Sequence, residues 1–125
     1  MITKLEHVGV VVSDMEKSLA FYQNIIGLQL RLREALNDKV ELAFLSFPEQ
    51  DSVEVELICG KKMNEQEGRV NHLAFTVDHL EVELERLVSL GVNLVDESPR
   101  SILNDKVKIA FFEGPDGEKL ELVER

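Results

Sequence analysis

An internal repeat limits what this chain can fold into more than any other feature of its sequence. The run HVGVVVSDMEKSLAFYQNIIG, which begins at His7, matches HLAFTVDHLEVELERLVSLG, which begins at His72, and 72 − 7 gives an offset of 65 residues. The same offset places SVEVELI, at 52–58, over GEKLELV, at 117–123. A repeat with a fixed period indicates a duplicated structural unit. We therefore expect one domain spanning 1–125 that is built from two modules.

Each module carries the pattern of a β-α-β-β-β unit. Apolar alternation over its opening residues is typical of a strand, and the apolar stripe that follows has helical spacing. Ser13 and Asp78 are the expected N-caps, because each precedes a glutamate by three residues in a capping-box pattern. Gly27 and Gly91 are expected to end the two helices. Module one lies at about 1–60, and its predicted strands are at 6–12, 28–34, 40–47 and 53–59. Module two lies at about 70–125. Its first predicted strand begins at His72, and the others are at 92–96, 106–112 and 119–124.

The predicted fold class is α+β. One helix covers only one face of a four-stranded sheet, so each module keeps a second face for another purpose. Strand alternation places His7 on the face opposite Val8 and Val10, and it places Glu56 opposite its apolar neighbours. We expect the modules to be related by a pseudo-twofold axis, forming a curved mixed sheet around a cavity that both second faces line.

Four residues at repeated positions are the candidate metal ligands of that cavity. His7 and Glu56 are separated by 56 − 7 = 49 residues, and His72 and Glu121 by 121 − 72 = 49. Two imidazoles and two carboxylates suit a divalent ion such as Ni, Co, Zn, Mn or Fe. Taken singly, such a histidine is usually structural, and a glutamate in an alternating strand usually faces solvent. The repetition favours a metal-lined cavity, while a duplication without function stays open as the alternative.

The composition excludes several classes of protein. Fourteen basic residues against 24 acidic ones give a formal net charge of -10, which argues against binding to nucleic acid or to an anionic membrane. The single cysteine excludes an internal disulfide framework and fits a reducing compartment. The opening residues MITKLEHV lack the apolar core of a signal peptide. We therefore expect a soluble cytoplasmic protein.

Other charged and nucleophilic residues are weaker candidates. Arg69 and Arg100 lie in predicted loops beside module two, where they are plausible anchors for an anionic substrate, with solvated charges as the alternative. Glu41 is expected to face solvent, with a role as a second base as its alternative. We interpret Cys59 as a packed thiol, because no histidine lies near it in the sequence. His79 is interpreted as an exposed residue in the first turn of the second helix.

Three stretches, HVGVVVSDMEKSLAFYQNIIGL, NHLAFTVDHLEVELERLVSLGV and FFEGPDGEKLELVE, resemble the vicinal oxygen chelate superfamily over essentially the whole chain. Its members include glyoxalase I, methylmalonyl-CoA epimerase, extradiol dioxygenases, thiol transferases that inactivate fosfomycin, and metal-free bleomycin-binding proteins. The resemblance implies paired modules around a metal-lined cavity, and a homodimer. The ligand pattern of bacterial glyoxalase I is similar to His7, Glu56, His72 and Glu121.

The resemblance implies a metal-dependent lyase of the glyoxalase I type, also called lactoylglutathione lyase. Such an enzyme isomerises a thiol-aldehyde hemithioacetal through an enediolate, with Glu121 as the expected base and Glu56 as its partner. HVGVVV and VNLVDESPR resemble methylmalonyl-CoA epimerases instead, and a non-catalytic antibiotic-binding protein is the third alternative. Glyoxalase I-like proteins commonly carry an arginine at the place of Val11 and an asparagine at the place of Gly60. These departures disfavour glutathione as the carrier thiol within the expected substrate class, a thiol adduct or a thioester.

Overall fold

A computed structural model of the chain describes residues 6–60 and 72–125. The chain divides into two compact units, Met1–Gln66 and Glu67–Arg125, here named module one and module two. Each unit contains a four-stranded mixed sheet and a helical segment, so the predicted α+β class is confirmed. None of the helices in the described ranges is long and apolar enough to cross a membrane.

The two sheets have the same strand order and the same mixture of directions. The elements of module one are β1 (His7–Val12), α1 (Met15–Phe21), a π-helical turn (Tyr22–Ile26), β2 (Gln29–Ala35), β3 (Glu41–Phe47) and β4 (Gln50–Cys59). Those of module two are β5 (Leu73–Thr76), α2 (Leu80–Ser89), β6 (Arg100–Ile102), β7 (Val107–Glu113) and β8 (Lys119–Glu124). The strand orders are β1-β4-β3-β2 and β5-β8-β7-β6. In module one, β1 is parallel to β4, and β3 is antiparallel to both β4 and β2. In module two, β5 is parallel to β8, and β7 is antiparallel to both β8 and β6.

Apolar side chains between each helix and its sheet form the core of each module. Helix α1 contacts β4, and α2 contacts β7 and β8. Burial of these side chains removes apolar surface from water, which stabilises the fold by roughly 25 cal/mol per Å². The opposite face of each sheet is thereby left for other roles. The buried residues include Val12, Leu19, Tyr22, Leu45 and Leu57 in module one, and Leu80, Leu84, Leu87, Phe112 and Leu120 in module two.

Both predicted N-caps are wrong by one residue. Helix α1 is capped by Asp14, whose carboxylate accepts a hydrogen bond of 3.0 Å from the backbone N–H of Lys17. Aspartate and serine are both good caps, so local sequence alone does not decide between neighbours of these types. Helix α2 has His79 at its N-cap without a side-chain cap bond. Its first N–H, at Leu80, donates instead to the Glu124 carboxylate at 2.8 Å, a partner that is distant in sequence.

The predicted strand at 92–96 is also wrong, because β6 takes its place as the fourth strand of that sheet. Leu94 makes an isolated bridge to Phe112. At the next position along β7, the Phe111 N–H donates to the side-chain carboxylate of Asp96 at 2.9 Å. A side chain there occupies the donor that a continuous strand would use, so regular pairing begins only at Arg100.

The first helix ends as predicted at Gly27, although its last turn is wider than an α-helix. The Gly27 N–H donates to the carbonyl of Tyr22, which is the spacing of a π-helix. Gly27 has a left-handed φ of 95°, and Gly91 after α2 has a φ of 76°. Glycine adopts this conformation without the steric cost that a Cβ brings, which explains both helix ends.

Candidate functional site

The parallel pairing of β1 with β4 brings His7 and Glu56 together in module one. Gly9 is the register partner of Glu56, and His7 lies two residues before Gly9 on the same face of the sheet. His7 Nε2 is 3.8 Å from Glu56 Oε1. The Glu56 side chain is 16% exposed and the His7 side chain 40%, so the carboxylate is sheltered while the ring edge is accessible.

Module two repeats this geometry with different strands. Ala74 on β5 is the register partner of Glu121 on β8, and His72 lies two residues before Ala74. His72 Nε2 is 3.6 Å from Glu121 Oε2. The side chains are 33% and 13% exposed for His72 and Glu121 respectively. The structure therefore places the four predicted ligands in two equivalent pairs, one within each module.

A glycine provides room for the carboxylate in module one. A Cβ placed on Gly9 would lie 3.5 Å from Glu56 Oε1 and 3.3 Å from the end of the Ile58 side chain. A methyl group at Gly9 would require the end of the Ile58 side chain to shift by a few tenths of an ångström, and module two has Ala74 at the equivalent position. A larger side chain would displace the Glu56 carboxylate.

An aromatic ring flanks each pair, a feature that the sequence analysis missed. Phe44 on β3 is the cross-strand partner of Glu56, and Phe111 on β7 is the partner of Glu121. Both rings meet the neighbouring histidine edge to face, with centroids 6.3 Å apart for His7 and 5.2 Å for His72. These phenylalanines are 111 − 44 = 67 residues apart. The offset of 65 failed to align them because the segment from phenylalanine to glutamate is two residues longer in module one.

The other ring nitrogen of His7 contacts Glu6. His7 Nδ1 donates a hydrogen bond of 3.0 Å to Glu6 Oε1, because an ionised carboxylate only accepts. In the neutral ring this places the proton on Nδ1 and leaves the lone pair of Nε2 facing Glu56. Metal-binding histidines in proteins are commonly oriented by a carboxylate in this way.

Each pair has donor types and a separation that fit two ligands of a divalent ion. Nitrogen and oxygen ligands lie about 2.1 Å from such an ion, so two ligands on it are separated by at most about 4.2 Å. The distances of 3.8 and 3.6 Å are below this limit and longer than a hydrogen bond. Within residues 6–60 and 72–125, no group of three or more His, Cys, Asp or Glu side chains forms a metal cluster. Each pair alone thus contributes two ligands.

Two basic side chains lie beside the module-two pair. Lys119 Nζ is 4.3 Å from the centroid of the Phe111 ring, and Arg100 Cζ is 5.6 Å from it. Arg100 also forms an ion pair with Asp96 at 3.2 Å. The structure therefore places Arg100 next to the candidate site. Arg69, the other predicted anchor, lies outside the described residues.

The weaker candidates lie outside the two pairs, and one of them is bound to an arginine. Glu41 accepts two hydrogen bonds from Arg33, at 3.0 and 3.1 Å, and these lower the pKa of its carboxyl below the ordinary value. Such a carboxylate is a poor base. Cys59 is a half-buried free thiol at the end of β4. His79 is exposed at the start of α2, as expected.

Comparison with known proteins adds a family likeness to this geometry. The sequence model of the Glyoxalase/Bleomycin resistance protein/Dioxygenase superfamily matches residues 4–122. The lactoylglutathione lyase of Salmonella typhimurium (strain LT2) is 34% identical over 125 residues, covering 97% of this chain and 92% of the relative. The uncharacterized protein YwbC of Bacillus subtilis (strain 168) is 32% identical over 127 residues and covers 100% of both chains.

Solved structures show the same fold. The crystal structure of SMU.1112c has a TM-score of 0.81 and 27% identity, covering 99% of this chain and 100% of that one. A V278E mutant of glyoxalase I from Zea mays has a TM-score of 0.82 and 26% identity. The match covers 98% of this chain but 44% of the maize chain, so this chain corresponds to a part of the larger enzyme.

Proposed function

Because the chain belongs to the glyoxalase/bleomycin resistance protein/dioxygenase superfamily, we propose that it is a divalent-metal-dependent lyase of the glyoxalase I type, which isomerises a thiol-aldehyde hemithioacetal. The observation that carries the proposal is the recurrence of one histidine–glutamate pair in both modules, at 3.8 and 3.6 Å. Duplication alone would create such a repeat, but without a function to preserve them, mutation would be expected to change at least one of the four residues. The relatives named lactoylglutathione lyase support the same class of reaction.

In this proposal His7, Glu56, His72 and Glu121 together hold one ion. Two nitrogen and two carboxylate ligands match Ni, Co, Zn, Mn or Fe and do not match a soft ion that prefers thiolates. If the ion were six-coordinate, these four ligands would leave two positions for substrate oxygens. Glu6 orients His7 for the role, through its bond to Nδ1.

The carboxylates perform the proton transfer. When bound, the metal supplies stabilisation of the negative charge that develops on the substrate oxygens. Glu121 removes the carbon-bound proton and returns it to the neighbouring carbon, so the net reaction is an isomerisation. Glu56 occupies the equivalent position on the other module. Phe44 and Phe111 are the cross-strand partners of these two glutamates.

The carrier thiol is proposed to differ from glutathione. Gly60 occupies the place where glyoxalase I-like proteins commonly carry an asparagine, and its φ is 107°. A Cβ at this position would overlap the Lys39 carbonyl oxygen, so the local backbone excludes an asparagine here. Val11, at the place of the usual arginine, is a half-buried residue of β1. The anchors for the substrate must therefore lie at other residues, of which Arg100 and Arg69 are our candidates.

The test is metal analysis of the purified protein followed by assay of methylglyoxal hemithioacetals made with several thiols. We expect one stoichiometric divalent ion, turnover of at least one adduct, and loss of most metal and activity in His7→Ala, His72→Ala and Glu121→Ala. Glu85→Gln, an exposed glutamate on α2, is the control that should change neither. Full metal content and activity in Glu121→Ala would contradict the proposed role. Turnover of methylmalonyl-CoA alone, or metal-free drug binding without turnover, would replace the proposed activity.

The assembly is proposed to be a homodimer, as the superfamily resemblance implies. Sedimentation equilibrium should give twice the chain mass of 14.2 kDa. A monomer at all protein concentrations would exclude it.

A further inference from the structure

Lys119 shares one aromatic ring with the histidine–glutamate pair of module two. It lies two residues before Glu121 on β8, so both side chains are on the same face. Its Nζ is 4.3 Å from the centroid of Phe111, which is within the range of a cation–π contact. The same ring meets His72 edge to face and is the cross-strand partner of Glu121. A positive charge is thus fixed beside the proposed metal ligands.

Module one has the opposite charge at the equivalent position. Glu54 lies two residues before Glu56 on β4, as Lys119 lies two residues before Glu121 on β8. Glu54 is half-buried, and its register partner on the neighbouring strand is His7. The two pairs therefore consist of the same residue types, but the neighbouring charge is negative in module one and positive in module two.

The edge strands show a second inversion. Arg100 on β6 is the cross-strand partner of Ile109, which lies two residues before Phe111. In module one the corresponding residue is Glu34 on β2, the cross-strand partner of Leu42 two residues before Phe44. The two positions that hold Lys119 and Arg100 in module two therefore hold Glu54 and Glu34 in module one.

We propose that module two selects the anionic end of the substrate and that Lys119 determines this selectivity; the inference rests on the proposed function. The preferred substrate is a hemithioacetal whose thiol carries a carboxylate or another anionic group. Among the described residues, Lys119 forms no ion pair within 4.0 Å, although Glu113 is its cross-strand partner, whereas the charge of Arg100 is offset by Asp96 at 3.2 Å. In a chain of net charge -10, a cation without a close ion pair distinguishes the module-two pair from the module-one pair, which has Glu54 at the equivalent position.

The experiment compares methylglyoxal adducts of three small thiols that differ in charge. These are 3-mercaptopropionate, 2-mercaptoethanol and 2-(trimethylammonio)ethanethiol, which are anionic, neutral and cationic respectively. The measured quantity is the ratio of kcat/KM for the anionic adduct to that for the neutral one. We expect the wild type to prefer the anion, and Lys119→Met to lower the ratio by about fivefold, the value for one unit charge near 4 Å in a water-like medium. Lys119→Glu should lower it further and favour the adduct of the cationic thiol.

Lys108→Met is the matched control, because Lys108 is an exposed lysine of β7 one position away from the Ile109 face. It removes the same global charge and should leave the ratio unchanged. An equal effect of Lys108→Met and Lys119→Met would assign the preference to net charge and overturn the role of Lys119. A wild type without preference for the anion would overturn it as well.

A binding measurement separates this inference from the proposed function. Calorimetric titration of the metal-loaded protein with 3-(methylthio)propionate and with 2-(methylthio)ethanol needs no turnover. Tighter binding of the carboxylate, lost in Lys119→Met, would support the anion subsite even if no hemithioacetal is isomerised. Turnover of the adducts with equal binding of the two thioethers would retain the enzyme and reject the subsite.

Discussion

The two ring nitrogens of His7 have different neighbours, and this asymmetry is the most specific local feature of the candidate site. Nδ1 donates to the carboxylate of Glu6 at 3.0 Å, and Nε2 faces Glu56 at 3.8 Å. The first contact fixes the tautomer, and the second positions the free lone pair for an ion. The neighbouring Gly9 leaves the Glu56 carboxylate undisplaced.

Replacement of Glu6 by alanine tests this orientation. We expect Glu6→Ala to weaken affinity for the divalent ion by about tenfold, the low end of the effect of such outer carboxylates, because the Glu6 side chain is 71% exposed. Metal affinity is measured by competition with a chelator, and the ¹⁵N shifts of the His7 ring report the tautomer. Glu85→Ala provides the control on α2. Unchanged affinity together with an unchanged tautomer would show that Glu6 has no role.

The sequence indicated the four candidate ligands because duplication preserved both their residue types and their separation of 49 residues. It gave no indication of Phe44 and Phe111, since an insertion of two residues shifts them out of the common offset. Cross-strand register, which alternation alone does not provide, was needed to place them opposite the glutamates. The roles of the residues as metal ligands stay predictions.

Among the elements, Arg33 links helix α1 to strands β2 and β3. It lies on β2, and its guanidinium donates to Glu41 on β3 at 3.0 and 3.1 Å and to Glu16 on α1 at 2.7 Å. These bonds hold the pKa of Glu41 below its ordinary value of 4.5 and raise the pKa of Arg33 above its ordinary value. A carboxylate with a depressed pKa stabilises the folded state above its unfolded pKa, and this stabilisation is lost as the pH falls through the folded pKa.

Arg33→Met should therefore destabilise the protein most at neutral pH. The difference in free energy of unfolding between wild type and variant is expected to be constant above about pH 5 and to shrink as Glu41 is protonated at lower pH. Urea unfolding between pH 3 and about pH 7 measures it. Arg31→Met is the control, because Arg31 donates to Ser46 and to a backbone carbonyl rather than to a carboxylate. A difference that stays constant down to pH 3 would contradict the coupling.

The loop between β6 and β7 contains an unfavourable backbone conformation. Leu103, Asn104 and Asp105 all have left-handed φ values, of 52°, 58° and 61°. Leu103 is 63% exposed, so its side chain gains little from burial, while its Cβ makes this conformation costly. We expect Leu103→Gly to raise the free energy of unfolding by about 0.5–1 kcal/mol.

Leu36→Gly is the comparison for the loop variant. Leu36 is equally exposed, at 63%, but has no left-handed φ, so glycine there should destabilise the fold. Thermal unfolding of both variants measures the contrast. Equal destabilisation by the two substitutions would show that the loop conformation at Leu103 carries no strain.

The order of strands and helices was predictable from the sequence where apolar periodicity and helix-ending glycines determine it. Strands and helices follow apolar periodicity, and Gly27 ends its helix as expected. The cap of α2 and the fourth strand of module two were not predictable in this way. The first depends on Glu124, 44 residues after Leu80, and the second on the side chain of Asp96 taking a strand donor. Both contacts exist only after the sheet has formed.

If both pairs hold one ion, the free energy of unfolding of the whole molecule should rise with metal concentration only while both pairs are intact. A ligand that binds only the folded state stabilises it by about 2.7 kcal/mol at 100 times its dissociation constant. We expect nickel or zinc at that level to raise the free energy of unfolding by about this amount in the wild type. Since one ion requires both pairs, Glu56→Ala and Glu121→Ala should each remove nearly all of the increase.

Two separate ions would behave differently, because each module would then retain its own site. Glu56→Ala would keep the stabilisation provided by His72 and Glu121, and Glu121→Ala would keep that provided by His7 and Glu56. Native mass spectrometry distinguishes the alternatives directly by counting ions per chain. Two ions per chain, with about half of the metal stabilisation left in each variant, would contradict a shared centre. One ion, lost in either variant, would mean that the duplicated pairs act as a single site, which explains why both copies retain the same two residues.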